Sequence, residues 1–186
     1  MRVIAGNSRG RKLTSPKGET PRPTTDRVKE SMFNILQMYL PQAEVVDVFA
    51  GTGQLGIEAL SRGAASCLFI DNNKQAHELQ KENLMNTHLM EKASVVLGNY
   101  VSILQHTSKM FHVALVDPPY DANLVLPALE VLAARMHENA VVLCETKRKE
   151  LLPDTVLTLK KQKEYLYGQI KLTLYEKTAE KKEIQV

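Results

Sequence analysis

The stretch Asp47-Val48-Phe49-Ala50-Gly51-Thr52-Gly53-Gln54-Leu55-Gly56 links a short apolar strand, Glu44–Phe49, to a helix, Gln54–Arg62, that Gly63 closes. Gly51, Gly53 and Gly56 write G-x-G-x-x-G across that junction. Residues without a Cβ let the main chain turn tightly and let a ligand come close to it. An acid, Asp71, follows the next strand, Ser66–Ile70, twenty positions after Gly51. A carboxylate there can accept hydrogen bonds from ribose hydroxyls. Glycine spacing alone is a weak signal. With strand, helix and acid in register it predicts a site for an adenosine-containing cofactor on a doubly wound α/β sheet.

The rest of the chain repeats the alternation. Asn73–Asn86 reads as a helix with Ala76, Leu79, Gln80 and Asn83 at helical spacing, and Ser94–Leu97 as a strand. A helical turn follows at Val101–His106, then a strand at Phe111–Val116, a helix at Asn123–His137 and a strand at Ala140–Cys144. Val156–Leu159 and Ile170–Tyr175 are two late strands with Gly168 between them, placed as an antiparallel hairpin at one edge. Apolar strands separated by amphipathic helices imply a mostly parallel sheet covered on both faces, seven strands in all. Upstream, residues 1–20 read as a small irregular hairpin, and Pro21 and Pro23 forbid helix until Thr25. Thr25–Leu40 is then helical, with Val28, Met32, Ile35, Leu36 and Tyr39 on one face. The division expected is an extension over 1–42, a catalytic domain over 43–176 and a flexible tail over 177–186.

A second motif, Asp117-Pro118-Pro119-Tyr120, follows the Phe111–Val116 strand. Strand carboxyl ends are where ligands bind in such sheets. Two consecutive prolines remove two backbone donors and stiffen the loop. The carbonyls of Asp117 and Pro118 can then face a ligand amine, Asp117 adds a carboxylate, and Tyr120 offers a flat face for a base. An exocyclic amine on a nucleobase needs this environment, because its lone pair is delocalised into the ring. Acceptors on its two hydrogens favour a pyramidal nitrogen and stabilise the positive charge that a transferred methyl brings. A rigid turn without chemistry is the plainer reading.

Charge is distributed unevenly. The 186 residues carry a net +3 with 44% hydrophobic and 24% charged residues, an ordinary soluble composition. Residues 1–30 hold eight Lys/Arg against three Asp/Glu, residues 31–145 six against twelve, and residues 146–186 ten against six. An acidic centre between basic ends fits a catalytic core flanked by surfaces that meet a polyanion. No apolar run reaches the roughly 18 residues of a membrane span, and the N-terminus lacks a signal peptide's apolar stretch. A cytoplasmic protein with no membrane partner is expected. Cys67 and Cys144 lie in apolar strand-like runs and read as buried packing residues. The five histidines show no metal-ligand spacing, and no metal is called for.

The first motif resembles the opening motif of class I S-adenosylmethionine-dependent methyltransferases more than a dinucleotide fingerprint, with Asp47 as its leading acid. A carboxylate capping loop amides is the alternative for Asp47. Asp117–Tyr120 is similar to the (D/N)PP(Y/F) motif of methyltransferases acting on amino groups of adenine, cytosine or guanine. The segments Ile4-Ala5-Gly6, Gly10-Arg11-Lys12-Leu13, Pro16-Lys17-Gly18, the run from Arg22-Pro23-Thr24-Thr25-Asp26-Arg27 to Asn34, and Phe49 to Ala64 resemble the RsmD family over residues 2–176. That family consists of bacterial enzymes that methylate the 2-amino group of one guanine in 16S ribosomal RNA. Asp71 and Asn99 depart from its pattern, where Glu and Asp are common.

The resemblance implies a class I (Rossmann-like) fold with a hairpin-and-helix extension. Asp47, Phe49, Ala50, Gly51, Thr52, Gly53 and Gly56 would hold the methionine part of S-adenosylmethionine. Asp71 and Asn72 would hold its ribose, and Asn99 and Tyr100 its adenine. Asp117, Pro118, Pro119 and Tyr120 would receive a guanine flipped from its stack. Arg9, Arg11, Lys12, Arg22 and Arg27 would grip RNA phosphates, with the lysines near Lys147–Lys149 or Lys160–Lys163 as the second choice for that surface. The implied partner is 16S ribosomal RNA within the small subunit or a late assembly intermediate, met by a monomer. Two alternatives stand beside it: a DNA adenine-N6 or cytosine-N4 methyltransferase, and a non-catalytic RNA-binding assembly factor.

Overall fold

The computed structural model describes residues 1–16, 23–120 and 122–178. Lys17, Gly18, Pro21, Arg22 and the tail from residue 179 onward lie outside the described residues. Eight strands form one sheet in the order β3-β2-β1-β4-β5-β8-β7-β6. Five are parallel: β1 (Glu44–Asp47), β2 (Ser66–Asp71), β3 (Ala93–Leu97), β4 (Phe111–Val116) and β5 (Met136–Lys147). The antiparallel strands β8 (Ile170–Lys177), β7 (Leu159–Tyr167) and β6 (Thr155–Val156) extend one edge. The strand order reverses between β1 and β4, which opens a crevice at their carboxyl ends.

Alternation along the strands builds two core layers, because successive side chains point to opposite faces. Val45, Val113, Leu115, Val141 and Leu143 pack on one face with Val28, Met32, Phe33, Leu55, Leu60 and Leu84. These come from α1 (Pro23–Ile35), α2 (Gln54–Ser61) and α3 (Lys74–Thr87). Val46, Ala114, Val116, Val142 and Cys144 pack on the other face with Leu104 of α4 (Tyr100–His106) and Val125, Leu129 and Leu132 of α5 (Val125–Ala133). Each fully buried large apolar side chain contributes about 1.5–3 kcal/mol. Both cysteines are buried and unbridged. No helix among the described residues is long and apolar enough to cross a membrane.

The sheet has eight strands where seven were expected. Residues 156–159, expected as one strand, are split by a turn: Val156 ends β6, Leu157 at φ 53° and Thr158 reverse the chain, and Leu159 opens β7. The long β7 follows, its face mostly solvated and so nearly without an apolar pattern. The helix expected over 123–137 ends at Ala133, and His137 already lies in β5. Helix α1 begins at Pro23, since proline is tolerated in a first turn, and ends at Ile35 rather than Leu40. Leu36 and Leu40 are both buried through the turn that follows, and Pro41 disfavours helical geometry at Leu40. At the far end, Lys177 belongs to β8 and the Thr178 amide donates to the Thr158 carbonyl at 3.0 Å.

The N-terminal hairpin is closed by the Arg2–Lys12 bridge and docks on α2. Buried Glu58 accepts the amides of Ile4 and Ala5 at 2.8 and 2.9 Å and the Arg62 Nε at 2.8 Å. Gly6, at φ +80°, lies so close to α2 that a Cβ would sit 1.8 Å from the Ser61 carbonyl oxygen.

Candidate active site

The loop after β1 turns on two left-handed glycines, Gly51 at φ 52° and Gly53 at φ 80°. Asp47 lies beneath it. Its Oδ2 accepts the Gly56 amide at 2.9 Å, tying the first turn of α2 to the strand. Burial raises its pKa to about 7, the Gly56 bond opposes the rise, and the nearby Asp71 charge adds to it. Asp71 reaches across from β2: its Oδ2 accepts the Gly51 amide and its Oδ1 the Asn73 amide, each at 2.8 Å.

Helix α3 holds the same loop by its carbonyls. Gln80 Nε2 donates to the Gly51 carbonyl and Asn83 Nδ2 to the Thr52 carbonyl, both at 2.9 Å. Asn83 also accepts the Thr14 amide at 2.7 Å and donates to the Thr14 carbonyl at 3.1 Å. One buried side chain therefore links the N-terminal extension to the glycine loop. Across the loop, Phe49 and Tyr100 meet edge to face with centroids 4.9 Å apart. Asn99 caps α4 through Oδ1, accepting the Val101 and Ser102 amides at 2.9 and 3.3 Å.

The second motif leaves β4 beside β1. Asp117 is half-buried, Pro118 buried, Pro119 exposed and Tyr120 half-buried. The Tyr120 hydroxyl donates to Glu145 Oε1 of β5 at 2.7 Å, and the Lys147 ammonium stands 5.8 Å from the Tyr120 ring centre. Burial pushes the Asp117 carboxyl well above the usual range, and the Glu145 and Asp47 charges push it further. Glu145 is raised as well, by burial, against the lowering effect of the Tyr120 bond.

One cleft of about 1800 Å³ runs between the two motifs. Phe49, Ala50, Gly51, Thr52, Asp71, Asn72, Asn99 and Tyr100 line one part, and Asp117, Pro118, Pro119 and Tyr120 another. Asp47, Gly53 and Gly56 are not among the residues that line the cleft. Of the basic residues expected to meet phosphate, Arg27 lines the cleft. Arg9, Arg11 and Lys12 are exposed on the hairpin away from its walls, and Arg11 donates to the Asn86 carbonyl at 2.8 Å. The cleft walls also include Gln54 and Glu145, which no motif of the sequence marks, and the basic run Lys147–Lys149, the second choice for an RNA surface.

The donor set fits a ligand that joins an amino acid to a nucleoside. Gln54 Oε1 is buried on the cleft wall with no hydrogen-bond partner among the described residues, an acceptor of the kind an α-ammonium requires. Asp71 brings a carboxylate to the same wall, and Tyr100 an aromatic ring.

The family model described as conserved hypothetical protein 95 matches residues 1–176. The Ribosomal RNA small subunit methyltransferase D of Haemophilus influenzae is 38% identical, over 88% of this chain and 88% of that one. The protein of the same name from Escherichia coli is 34% identical, over 97% of this chain and 91% of its own length. A solved Escherichia coli chain, yhhF, shares the fold with a TM-score of 0.83 at 33% identity, covering 96% of this chain and 98% of that one.

Proposed function

The chain belongs to the conserved hypothetical protein 95 family, the RsmD family of methyltransferases, and we propose that it transfers a methyl group from S-adenosylmethionine to the 2-amino group of one guanine in small-subunit ribosomal RNA. One observation carries the reading: the glycine loop and Asp117–Tyr120, each at a strand's carboxyl end, line a single cleft. When bound, the cofactor supplies an electrophilic methyl group on a sulfonium.

The chain's own residues do the rest. Gln54 Oε1 and the loop amides orient the amino acid end, and Asp71 with Asn72 orients the ribose. Asp47 acts from behind by fixing Gly56. Tyr120 stacks on the extruded base, its ring held in place by Glu145. Asp117 and the Pro118 carbonyl accept the two amine hydrogens, so positive charge forms on nitrogen beside a carboxylate. Asp117 then takes the departing proton. In this reading residues 1–42 are an RNA-gripping extension and residues 43–176 the catalytic domain.

The test uses radiolabelled S-adenosylmethionine with small subunits, naked ribosomal RNA and DNA, the ribosomal material coming from cells that lack the enzyme. Label should enter ribosomal RNA as N2-methylguanine. Label in DNA alone, or in no nucleic acid, would overturn the reading.

A further inference from the structure

The opposite pole of the sheet carries a cluster that the methyl-transfer reading does not use. Glu44 opens β1, His112 is the second residue of β4 and His137 the second of β5. The strands are parallel neighbours, β4 pairing with both β1 and β5, so their amino ends bring the three side chains together. Glu44 Oε2 lies 3.4 Å from His137 Nε2 and 3.8 Å from His112 Nδ1. The imidazole centres are 4.3 Å apart. One donor atom from each residue falls within 4.8 Å of the other two.

We propose that Glu44, His112 and His137 form a binding site for a divalent transition-metal ion of the zinc class. Two imidazoles and a carboxylate suit zinc, nickel or copper, whereas calcium and magnesium require oxygen ligands throughout. Three protein ligands leave a fourth position for water. Tetrahedral bonds of about 2.0–2.2 Å separate ligand atoms by roughly 3.4 Å, so the observed spacing closes by small side-chain rotations. The His112 Nδ1 lone pair already faces Glu44, accepting its amide at 3.2 Å. Coordination exchanges that long hydrogen bond for a metal bond. The side chains are 48%, 46% and 39% exposed for Glu44, His112 and His137, so an ion can enter from solvent. Their backbones are fixed in central strands beside buried Val45, Phe111 and Met136, so little ordering remains to be done. An ion there clips three strand ends far from the cleft, and its effect falls on stability rather than on methyl transfer.

Untagged, chelator-treated protein is titrated with Zn2+ by calorimetry and with Co2+ by visible absorption. One ion per chain is expected, with Co2+ bands of tetrahedral intensity and a Tm that rises with Zn2+. His112→Ala and His137→Ala should each weaken binding by more than the roughly 10–100-fold that outer-shell changes cost. S-adenosylmethionine affinity should stay at the wild-type value in both variants. Absence of stoichiometric Zn2+ binding by the wild type would overturn the proposal. So would equal binding by the His112→Ala/His137→Ala double variant, which would put the ion elsewhere.

Discussion

Asp117 must be an anion to stabilise the charge that forms on the amine and to take its proton, yet burial and the Glu145 charge hold its carboxyl well above the ordinary range. Turnover should therefore rise with pH through that elevated pKa. Glu145→Gln removes one of the raising charges, so the rising limb of the kcat–pH profile should move to lower pH. The shift is partial, because burial is the larger cause. An unmoved limb would detach Glu145 from the chemistry. Asp117→Ala should lower kcat by about 10²–10³ and change cofactor affinity little. Tyr120→Ala should weaken base capture by roughly 1–3 kcal/mol, seen in KM for RNA. Asp47 raises a separate question of stability. Unfolded, its carboxyl titrates near 3.8, and folded near 7. The folded chain therefore keeps a proton that the unfolded chain loses in that window. The associated stability is complete below about pH 4, falls as pH rises to 7 and is level above, by at most roughly 4 kcal/mol. Asp47→Asn can still accept the Gly56 amide and does not titrate. Denaturant unfolding across pH 4–7 should show a flatter curve for this variant, and equal slopes would mean that Asp47 is ionised throughout.

Helix α3 gives the glycine loop its shape, and the loop in turn fixes what the cleft offers. Asn83→Ala would leave the Thr14 amide and two carbonyls without partners. A buried group so orphaned costs about 1–3 kcal/mol, so the variant should lose Tm and bind cofactor more weakly. A lower Tm with unchanged cofactor affinity would show that the loop holds its form without α3. The glycine loop, Asp71 and the Asp117 motif are legible in the sequence because each is a local spacing at a strand end. Gln80 and Asn83 read only as one face of a helix, since their partners lie 29 and 31 residues away and exist once α3 stacks on the loop. Glu145 is a carboxylate directly after an apolar run, which no spacing marks. β7 is hard to read because hydrophobic alternation reports burial, and most of that strand is solvated. His137 reads as helical because Val125–Met136 is apolar enough for either structure, and Glu44 lies 93 residues away, outside any ligand motif.

At the scale of the whole molecule, the fold sets one basic surface away from the walls of the cleft and another on them, which the linear charge count places only at the chain's ends. The hairpin carries Arg9, Arg11 and Lys12, with Arg11 reaching α3 at Asn86, whereas Lys147, Arg148 and Lys149 lie at the end of β5 on the cleft itself. An RNA whose guanine enters the cleft must pass the second surface, and it reaches the first only if it extends across the extension. The two surfaces therefore predict different losses. Neutralising Arg148 and Lys149 to Gln leaves Lys147 over the Tyr120 ring and should weaken RNA binding in every substrate, short fragments included. Neutralising Arg9, Arg11 and Lys12 to Gln should weaken only substrates long enough to span the molecule. In both variants the log–log dependence of affinity on salt should flatten by roughly 0.7–0.9 for each phosphate that a basic side chain no longer neutralises. Arg11 is partly committed to the Asn86 carbonyl, so the hairpin variant should lose less slope than three fully engaged phosphates would give. Cofactor affinity should stay unchanged in the hairpin variant, since none of its three residues lines the cleft. The measurement is a salt series with a short hairpin fragment and with the whole small subunit, for both variants. Equal slopes for wild type and the hairpin variant on the whole subunit would remove the extension from the RNA-binding surface and leave that role to the rim of the cleft.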